Sequence, residues 1–224
     1  AGDDTYQVSV GVTVIENAGE GVDTVYAYVP ESYVLPDNVE NLVLATNADA
    51  WAMGNALANV ITGSVGDNTL IGAGANDILT AGGGNAIFDE RPGDGSDVIT
   101  DFTVSGVERD IVRFDNLGLD SFAKIKAATR QIGNDAVVDL GQGQSLTLRN
   151  VDASKLTADN FGIAVDTSAM TRTFFDDFNS FSRVTNGQGV WSTKYVYGGV
   201  NSYMLNHEEQ LYVDPDFRGL PGSQ

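Results

Sequence analysis

The chain has 224 residues, 26 of them glycine, and sets 31 Asp and Glu against 12 Lys and Arg, a formal charge of −19. So acidic a surface repels phosphate backbones and anionic bilayers, which excludes a nucleic-acid partner, and no apolar run approaches the roughly 20 residues that would allow membrane insertion. The absence of cysteine excludes disulfides, thiolate metal sites and a cysteine nucleophile.

The opening AGDDTYQV has no basic segment followed by an apolar one, so no signal peptide is expected in it. It reads as the tail of a repeat, with Asp3 and Asp4 in a glycine turn. GEGVDTV, Gly19 to Val25, has the pattern G-x-G-x-D-x-V and offers Asp23 as an oxygen ligand. The lead-in that follows supplies Leu42, Val43, Leu44 and Val60 as core candidates. Trp51 could stack on a sugar, but a lone Trp in a coil more often packs.

From Gly54 the chain repeats every nine residues: GNALANVIT, GSVGDNTLI, GAGANDILT, AGGGNAIFD. Position eight is Ile61, Leu70, Leu79 and Phe88, apolar every time. Position six is Asn59, Asn68, Asp77 and Ala86, and position one is Gly54, Gly63, Gly72 and Ala81. A fixed period with a glycine turn and one inward apolar residue signals a solenoid. Each unit makes a tight turn, where glycine tolerates positive φ, and then a short strand. Two nonamers make one 18-residue coil of a parallel β-roll, which stacks Asn59 on Asp77 and Asn68 on Ala86. GDGSDVITDF follows, with Asp94, Asp97 and Asp101 around two glycines.

These segments resemble the RTX (repeats-in-toxin) family, whose G-G-x-G-x-D-x-U-x repeat binds Ca2+ in a parallel β-roll. The resemblance implies that residues 1–104 form a calcium-binding roll, with Asp4, Asp23, Asn59, Asp77, Asp94, Asp97 and Asp101 as ligands. Hard oxygen donors are what that ion requires. The central nonamers are degenerate, because Asp77 alone keeps the acidic ligand while Asn59 and Asn68 offer neutral oxygens and Ala86 none. Asparagine ladders are expected to hold part of this stretch.

Residues 105–165 change character. RDIVRFDNLG is strand-like. DSFAKIKAATRQIG reads as a short helix capped by Asp120 or Ser121, with Phe122, Ile125 and Ala127 or Ala128 inward and Gly133 as its stop. DAVVDLGQGQSLTLRNV reads as a hairpin turning at Gly141 to Gly143. A solenoid needs such a cap over its last apolar face.

AVDTSAMT, residues 164–171, is a small polar linker. Beyond it Phe174, Phe175, Phe178, Phe181, Trp191, Tyr195, Tyr197, Tyr203 and Tyr212 crowd together. FFDDFNSF, WSTKY and NHEEQLYVD resemble the opening strands of glycoside hydrolase family 16, and the likeness covers about the last 50 residues. It implies that 166–224 begin a β-jelly-roll sandwich of an endo-β-glycanase. Retaining hydrolysis needs two carboxyl groups about 5 Å apart, which that family draws from an E-x-D-x-x-E strand. The chain has no such segment. Its nearest imitation, Glu108-Arg109-Asp110-Ile111-Val112-Arg113, ends in Arg where the second Glu belongs. His207 beside Glu208 and Glu209 reads as a surface-strand histidine.

The fold expected is therefore all-β: a parallel roll, a small cap, then the first strands of a sandwich. The leading functional reading is the calcium-binding module of a secreted bacterial polysaccharide-degrading enzyme, inactive on its own and exported by a type I route whose signal lies outside this chain. Two others stand beside it. One is a calcium-rigidified structural or adhesive protein that self-associates through its incomplete C-terminal strands. The other is a lectin-like module that stacks aromatic side chains on polysaccharide.

Overall fold

The computed structural model describes residues 2–163 in full and, beyond them, the backbone of Tyr195–Tyr197 and Val200–Ser202. The chain divides into two compact units, Ala1–Thr171 and Arg172–Gln224. In the second, the two short strands pair antiparallel, the first of them within the alternating segment GVWSTKYVYG. The jelly-roll expectation, Trp191 and the His207 segment otherwise lie outside the described residues. Among the described residues no helix is long and apolar enough to cross a membrane.

In chain order the first strands are β1 (Thr5–Val8), β2 (Thr24–Ala27), β3 (Ser32–Val34), β4 (Asn41–Leu44), β5 (Trp51–Met53) and β6 (Val60–Thr62). There follow β7 (Thr69–Ile71), β8 (Ile78–Thr80), β9 (Ile87–Glu90), β10 (Ser96–Ile99) and β11 (Ile111–Phe114). From β2 to β11 the chain alternates between two sheets. A nine-stranded sheet runs β1-β2-β4-β6-β8-β10 before three cap strands, and a five-stranded sheet contains β3, β5, β7, β9 and β11. Successive neighbours in each sheet are parallel, with Val60 beside Ile78 and Thr69 beside Ile87. This is the 18-residue coil that two nonamers predict, wound into a β-solenoid of about five turns.

Position eight fills the interior. Ile61, Leu70, Leu79 and Phe88 are fully buried and join Leu42, Leu44, Ile99 and Val112 in one core. Strand alternation sends the neighbours of these residues outward, which corrects two of the expected core positions: Val43 is half-buried and Val60 is exposed. Ala52 takes the inward place in β5, and Trp51 is half-buried beside it.

The position-one glycines have a different reason from the one expected. Gly54, Gly63 and Gly72 do not have positive φ. A Cβ there would collide with the position-six side chain, which folds back over the glycine, and at Gly54 and Gly63 also with the carbonyl of Gly72 or Ala81 in the next coil. Asn59 Oδ1 accepts from the Asn55 amide (2.8 Å) and Asn68 Oδ1 from the Ser64 amide. A Cβ on Gly72 would collide with the Asp77 carboxylate. Where position six is Ala86, position one can be Ala81.

The expected helix and hairpin are present, with the helix ending differently, while β11, inside the stretch 105–165 read as cap, pairs parallel with β9 as a strand of the five-stranded sheet. Helix α1 (Phe122–Ala128) is capped by the Ser121 hydroxyl and buries Ile125. It ends at Thr129, which turns extended and starts β12 (Thr129–Ile132), its hydroxyl donating to the Ile125 carbonyl (2.6 Å). Gly133, the expected stop, instead lies in the turn to β13 (Asp135–Gly141). β13 returns through Gly141-Gln142-Gly143, all at positive φ, to β14 (Gln144–Leu148). β14 pairs parallel with β10 while β13 and β12 add antiparallel strands beyond it, so the hairpin ends the parallel stack.

Gly72→Ala is expected to destabilise the roll by about 1–3 kcal/mol through overpacking. Adding Asp77→Ala removes the obstructing side chain, so the double variant should lose less than the sum of the single changes. Denaturant unfolding of the four proteins in chelator measures both effects.

Candidate metal-binding edge of the roll

At one edge the chain passes from the five-stranded to the nine-stranded sheet. There a polar side chain precedes or begins each strand of the larger sheet: Asp4, Asp23, Glu40, Asn59, Asp77 and Asp97. They form a ladder: in four of its five steps a side-chain oxygen of one coil accepts an amide of the coil before, while between Glu40 and Asn59 the Asn59 side-chain amide donates to the Glu40 carbonyl (3.1 Å). The Asp4 amide donates to Asp23 Oδ1 (2.8 Å), and the Asp23 amide to Glu40 Oε2 (2.8 Å). The Asn59 amide donates to Asp77 Oδ1 (2.6 Å), and the Asp77 amide to Asp97 Oδ1 (2.7 Å). Asp23, Asn59, Asp77 and Asp97 are each 1% exposed.

The rungs differ in what remains unsatisfied. Asn59 is fully engaged, since its amide group also reaches the Val39 and Glu40 carbonyls. It braces the coil, as an asparagine ladder should. Asp77 and Asp97 each use one oxygen for the ladder and leave Oδ2 buried without a partner. Glu90, at the end of β9 and also 1% exposed, receives no N–H donor on either carboxylate oxygen. Its carboxyl meets that of Asp97 in a side-chain hydrogen bond, for which the pair must share a proton. Burial pushes the Asp77 carboxyl up to about 7 and that of Asp97 to about 6. Burial, then the charge of Asp97, raises Glu90 well above the ordinary carboxylate range. The charges raising these three are one another and Asp94, so the cluster has no internal cation.

Asp94 lies in the turn between Glu90 and Asp97, its Oδ2 accepting from the Arg91 amide (2.7 Å). Burial raises its carboxyl. Asp101 stands apart from this group. It sits at the opposite edge, where its two oxygens accept from the Ala81 and Gly82 amides (2.8 and 2.9 Å). On that edge Ala86 supplies no rung, whereas Asp110 in the following coil accepts from the Ala86 and Thr103 amides (2.8 and 2.7 Å). Burial raises Asp110 to about 6.

A second acidic group lies at the N-terminal end. Carboxylate oxygens of Asp4, Glu16 and Asp23 lie within 4.8 Å of one another, the only such trio among the described residues. The Tyr6 hydroxyl donates to Glu16, which holds that phenol's pKa up at about 12. Glu16 comes from the loop between β1 and β2, outside any repeat, so nothing in its spacing marked it. Glu90 was more legible, because it occupies position one of the next nonamer, where the earlier units carry glycine or alanine.

Oxygen-only clusters of buried carboxylates suit a hard cation such as Ca2+. Asp77 and Asp97 each leave a buried oxygen of that kind, while the oxygens of Asp4, Glu16 and Asp23 are the trio that lies within reach of one ion. Leaving buried carboxylates ionised without compensation costs several kcal/mol per charge. Protons can compensate as well as a metal can. Asp77, Asp97, Glu90 and Asp110 titrate higher in the fold than in the unfolded chain, so between about pH 4 and 7 the folded state holds more protons. In chelator, stability is therefore expected to be greatest near pH 4 and to fall as pH rises through 6 and 7, a tenfold difference in proton affinity between the two states being worth about 1.4 kcal/mol. Melting temperatures across that range measure the slope. A rise towards pH 7 would contradict the buried, uncompensated cluster.

No protein-family profile matches the chain. A solved structure, the extracellular lipase LipA from Serratia marcescens, aligns with 60% of this chain and 19% of its own at 22% identity; at a TM-score of 0.35 that likeness carries no argument. Two proteins of Rhizobium meliloti (strain 1021) share much more. One, named endo-1,3-1,4-beta-glycanase ExsH, is 38% identical over 219 residues, 96% of this chain. The other, named endo-1,3-1,4-beta-glycanase EglC, is 38% identical over 221 residues, 97% of this chain. The chain is thus similar, over nearly its whole length, to two proteins named as β-glycanases, and it spans 46% of the length of each.

Proposed function

We propose that this chain is the calcium-organised, non-catalytic part of a secreted bacterial glycanase that cleaves β-linked polysaccharide. It would comprise an RTX-like roll followed by the opening of a family 16 hydrolase domain. What carries the enzymatic half of the reading is the 38% identity that runs through the roll and on past residue 166 in both relatives. The same feature favours it over an adhesive rod or a lectin module, for which no relative or site speaks.

The calcium half rests on the unpartnered carboxylates. Asp77 and Asp97, with Asp94 in the adjoining turn, would hold the ion at the edge of the last coils, and Asp4 and Asp23 at the first. When bound, the ion supplies positive charge that lets buried carboxylates stay ionised at neutral pH. The chain's own residues do the rest. Position-six oxygens fix each coil to its neighbour, position-eight side chains fill the interior, and the hairpin closes the end. Because a site absent from the unfolded chain converts binding energy into folding energy, the roll would be firm where calcium is abundant. Extracellular modules work with dissociation constants of order 10⁻⁴ to 10⁻³ M, and that is the range expected for this roll if it is exported.

Millimolar CaCl2 is expected to raise the melting temperature of the roll at pH 7.5, and chelator to reverse it. Asp97→Ala should weaken calcium binding more than Asn68→Ala, because it removes a charged, half-unpartnered ligand. Calorimetric titration compares the two, and equal losses would contradict the assignment.

The 224-residue chain alone is expected to release no reducing sugar from mixed-linkage β-glucan or bacterial exopolysaccharide. General acid and nucleophile must share one cleft, and no E-x-D-x-x-E segment is present in it. Turnover by the purified chain that disappears on mutating Glu208 or Glu209 would overturn this.

A further inference from the structure

The two ends of the nine-stranded sheet are chemically unlike. β1 is its terminal strand on one side and β12 on the other. A terminal strand leaves the N–H and C=O groups of alternate residues without a ladder partner, open to another strand. The Asp4 and Val8 carbonyls accept the Thr24 and Tyr28 amides (2.9 and 2.7 Å), so alternation turns the backbone groups of Thr5 and Gln7 away from β2. On β12, Arg130, Gln131 and Ile132 are all exposed. None of the 12 Lys and Arg precedes Arg91, so side chains at the β1 end carry negative charge only, with Asp3, Asp4, Glu16 and Glu20 around the strand. The β12 end differs. Lys126, Arg130, Arg149 and Lys155 are exposed there and form no ion pair among the described residues. Against them stand Asp135 and Asp152, while Lys124 and Asp120 pair with each other (2.8 Å).

We propose that this chain associates end to end with a second copy of itself, β12 of one roll adding to β1 of the next. Strand direction supports it. The sheet is parallel from β1 to β14, and the two antiparallel steps to β13 and β12 bring β12 back to the direction of β1. A copy placed by translation along the stack therefore pairs β12 parallel with β1, as the roll already pairs its coils. Lys126 and Arg130, at the start of β12, then lie beside Asp3 and Asp4 at the start of β1. Ile132, 51% exposed, comes towards Val10, 78% exposed. The two-fold alternatives lose this match, since β1 on β1 brings two acidic ends together and β12 on β12 two basic ones. Complementary charge fixes partner and orientation more than it adds affinity. The contact is heterologous, with a different surface on each side, so nothing in it stops at two copies. It lies at the ends of the roll, apart from the C-terminal strands, and leaves the glycanase reading as it stands whether or not calcium binds.

The test is sedimentation velocity of the whole 224-residue chain over a range of concentrations, in chelator at pH 6.5 and about 0.15 M salt. There a Debye length of about 8 Å screens the net charge of two rolls but not pairs in contact. The average mass is expected to climb from the 23.7 kDa of one copy past that of a dimer, without a plateau. Gln7→Pro removes an outward N–H from β1, and Arg130→Glu and Asp3→Lys each reverse a charge at the junction. Each of these variants alone is expected to lose association while its circular dichroism stays that of the parent. Mixing Arg130→Glu with Asp3→Lys is expected to restore it, because the two introduced charges are opposite. A parent chain that stays at 23.7 kDa throughout would overturn the inference. Association that all three variants keep would also overturn it and put the contact on another surface, such as the C-terminal strands. So would a mixture of the two charge variants that remains monomeric.

Discussion

The roll depends on one repeated interaction at its edges: an amide of one coil donated to a buried side-chain oxygen of the next. Parallel strands this short cannot hold register by their own ladders alone, and the turns between them leave amides that must find acceptors inside the protein. Asp23, Glu40, Asp77 and Asp97 provide those acceptors along one edge. On the other edge Asp110 accepts the Ala86 amide in the same way. Most of these acceptors are carboxylates, so holding the coils together also loads negative charge into the interior. Glu90 makes the load heaviest in the last coil, where the hairpin of the cap also begins.

The same interaction explains the repeat's own grammar. A side chain that folds back over position one forbids a Cβ there, so glycine and a polar position six travel together in three successive units. Ala81 with Ala86 shows the pair released, and at Glu90 position one holds an acid while the rung of that coil, Asp97, comes two residues later than the nine-residue register puts it. Position eight is indifferent to these changes, because its side chains meet across the interior rather than along the edge.

Much of this was legible in the chain. The nine-residue period gave the coil length, the inward row of Ile61, Leu70, Leu79 and Phe88, and the stacking of Asn59 on Asp77. The hairpin and the Ser121 cap also followed from local chemistry. What sequence reasoning missed depends on contacts between distant residues. Gly133 looks like a helix stop, but Thr129 enters a strand first because β13 is there to pair with it. Val60 looks like core until alternation turns it outward. Glycine at position one suggests positive φ, whereas the obstacles are the position-six side chain and, at Gly54 and Gly63, a carbonyl of the next coil. Glu16 reaches Asp4 and Asp23 only through a loop of no regular period, and Asp101 belongs to the far edge because the length of β10 separates it from Asp97.

A calcium-dependent edge inside a polysaccharide-degrading enzyme would tie the firmness of the roll to conditions outside the cell. That account predicts where calcium should be felt. Amide hydrogen exchange of the whole chain at pH 7.5, with calcium and with chelator, tests it most directly. The Asn59 and Asp77 amides, whose acceptors are Asp77 and Asp97, should gain protection with calcium well beyond the Ala86 amide, whose acceptor Asp110 lies on the other edge. Equal protection of all three amides with and without calcium would contradict the claim that the buried acidic edge is a cation site.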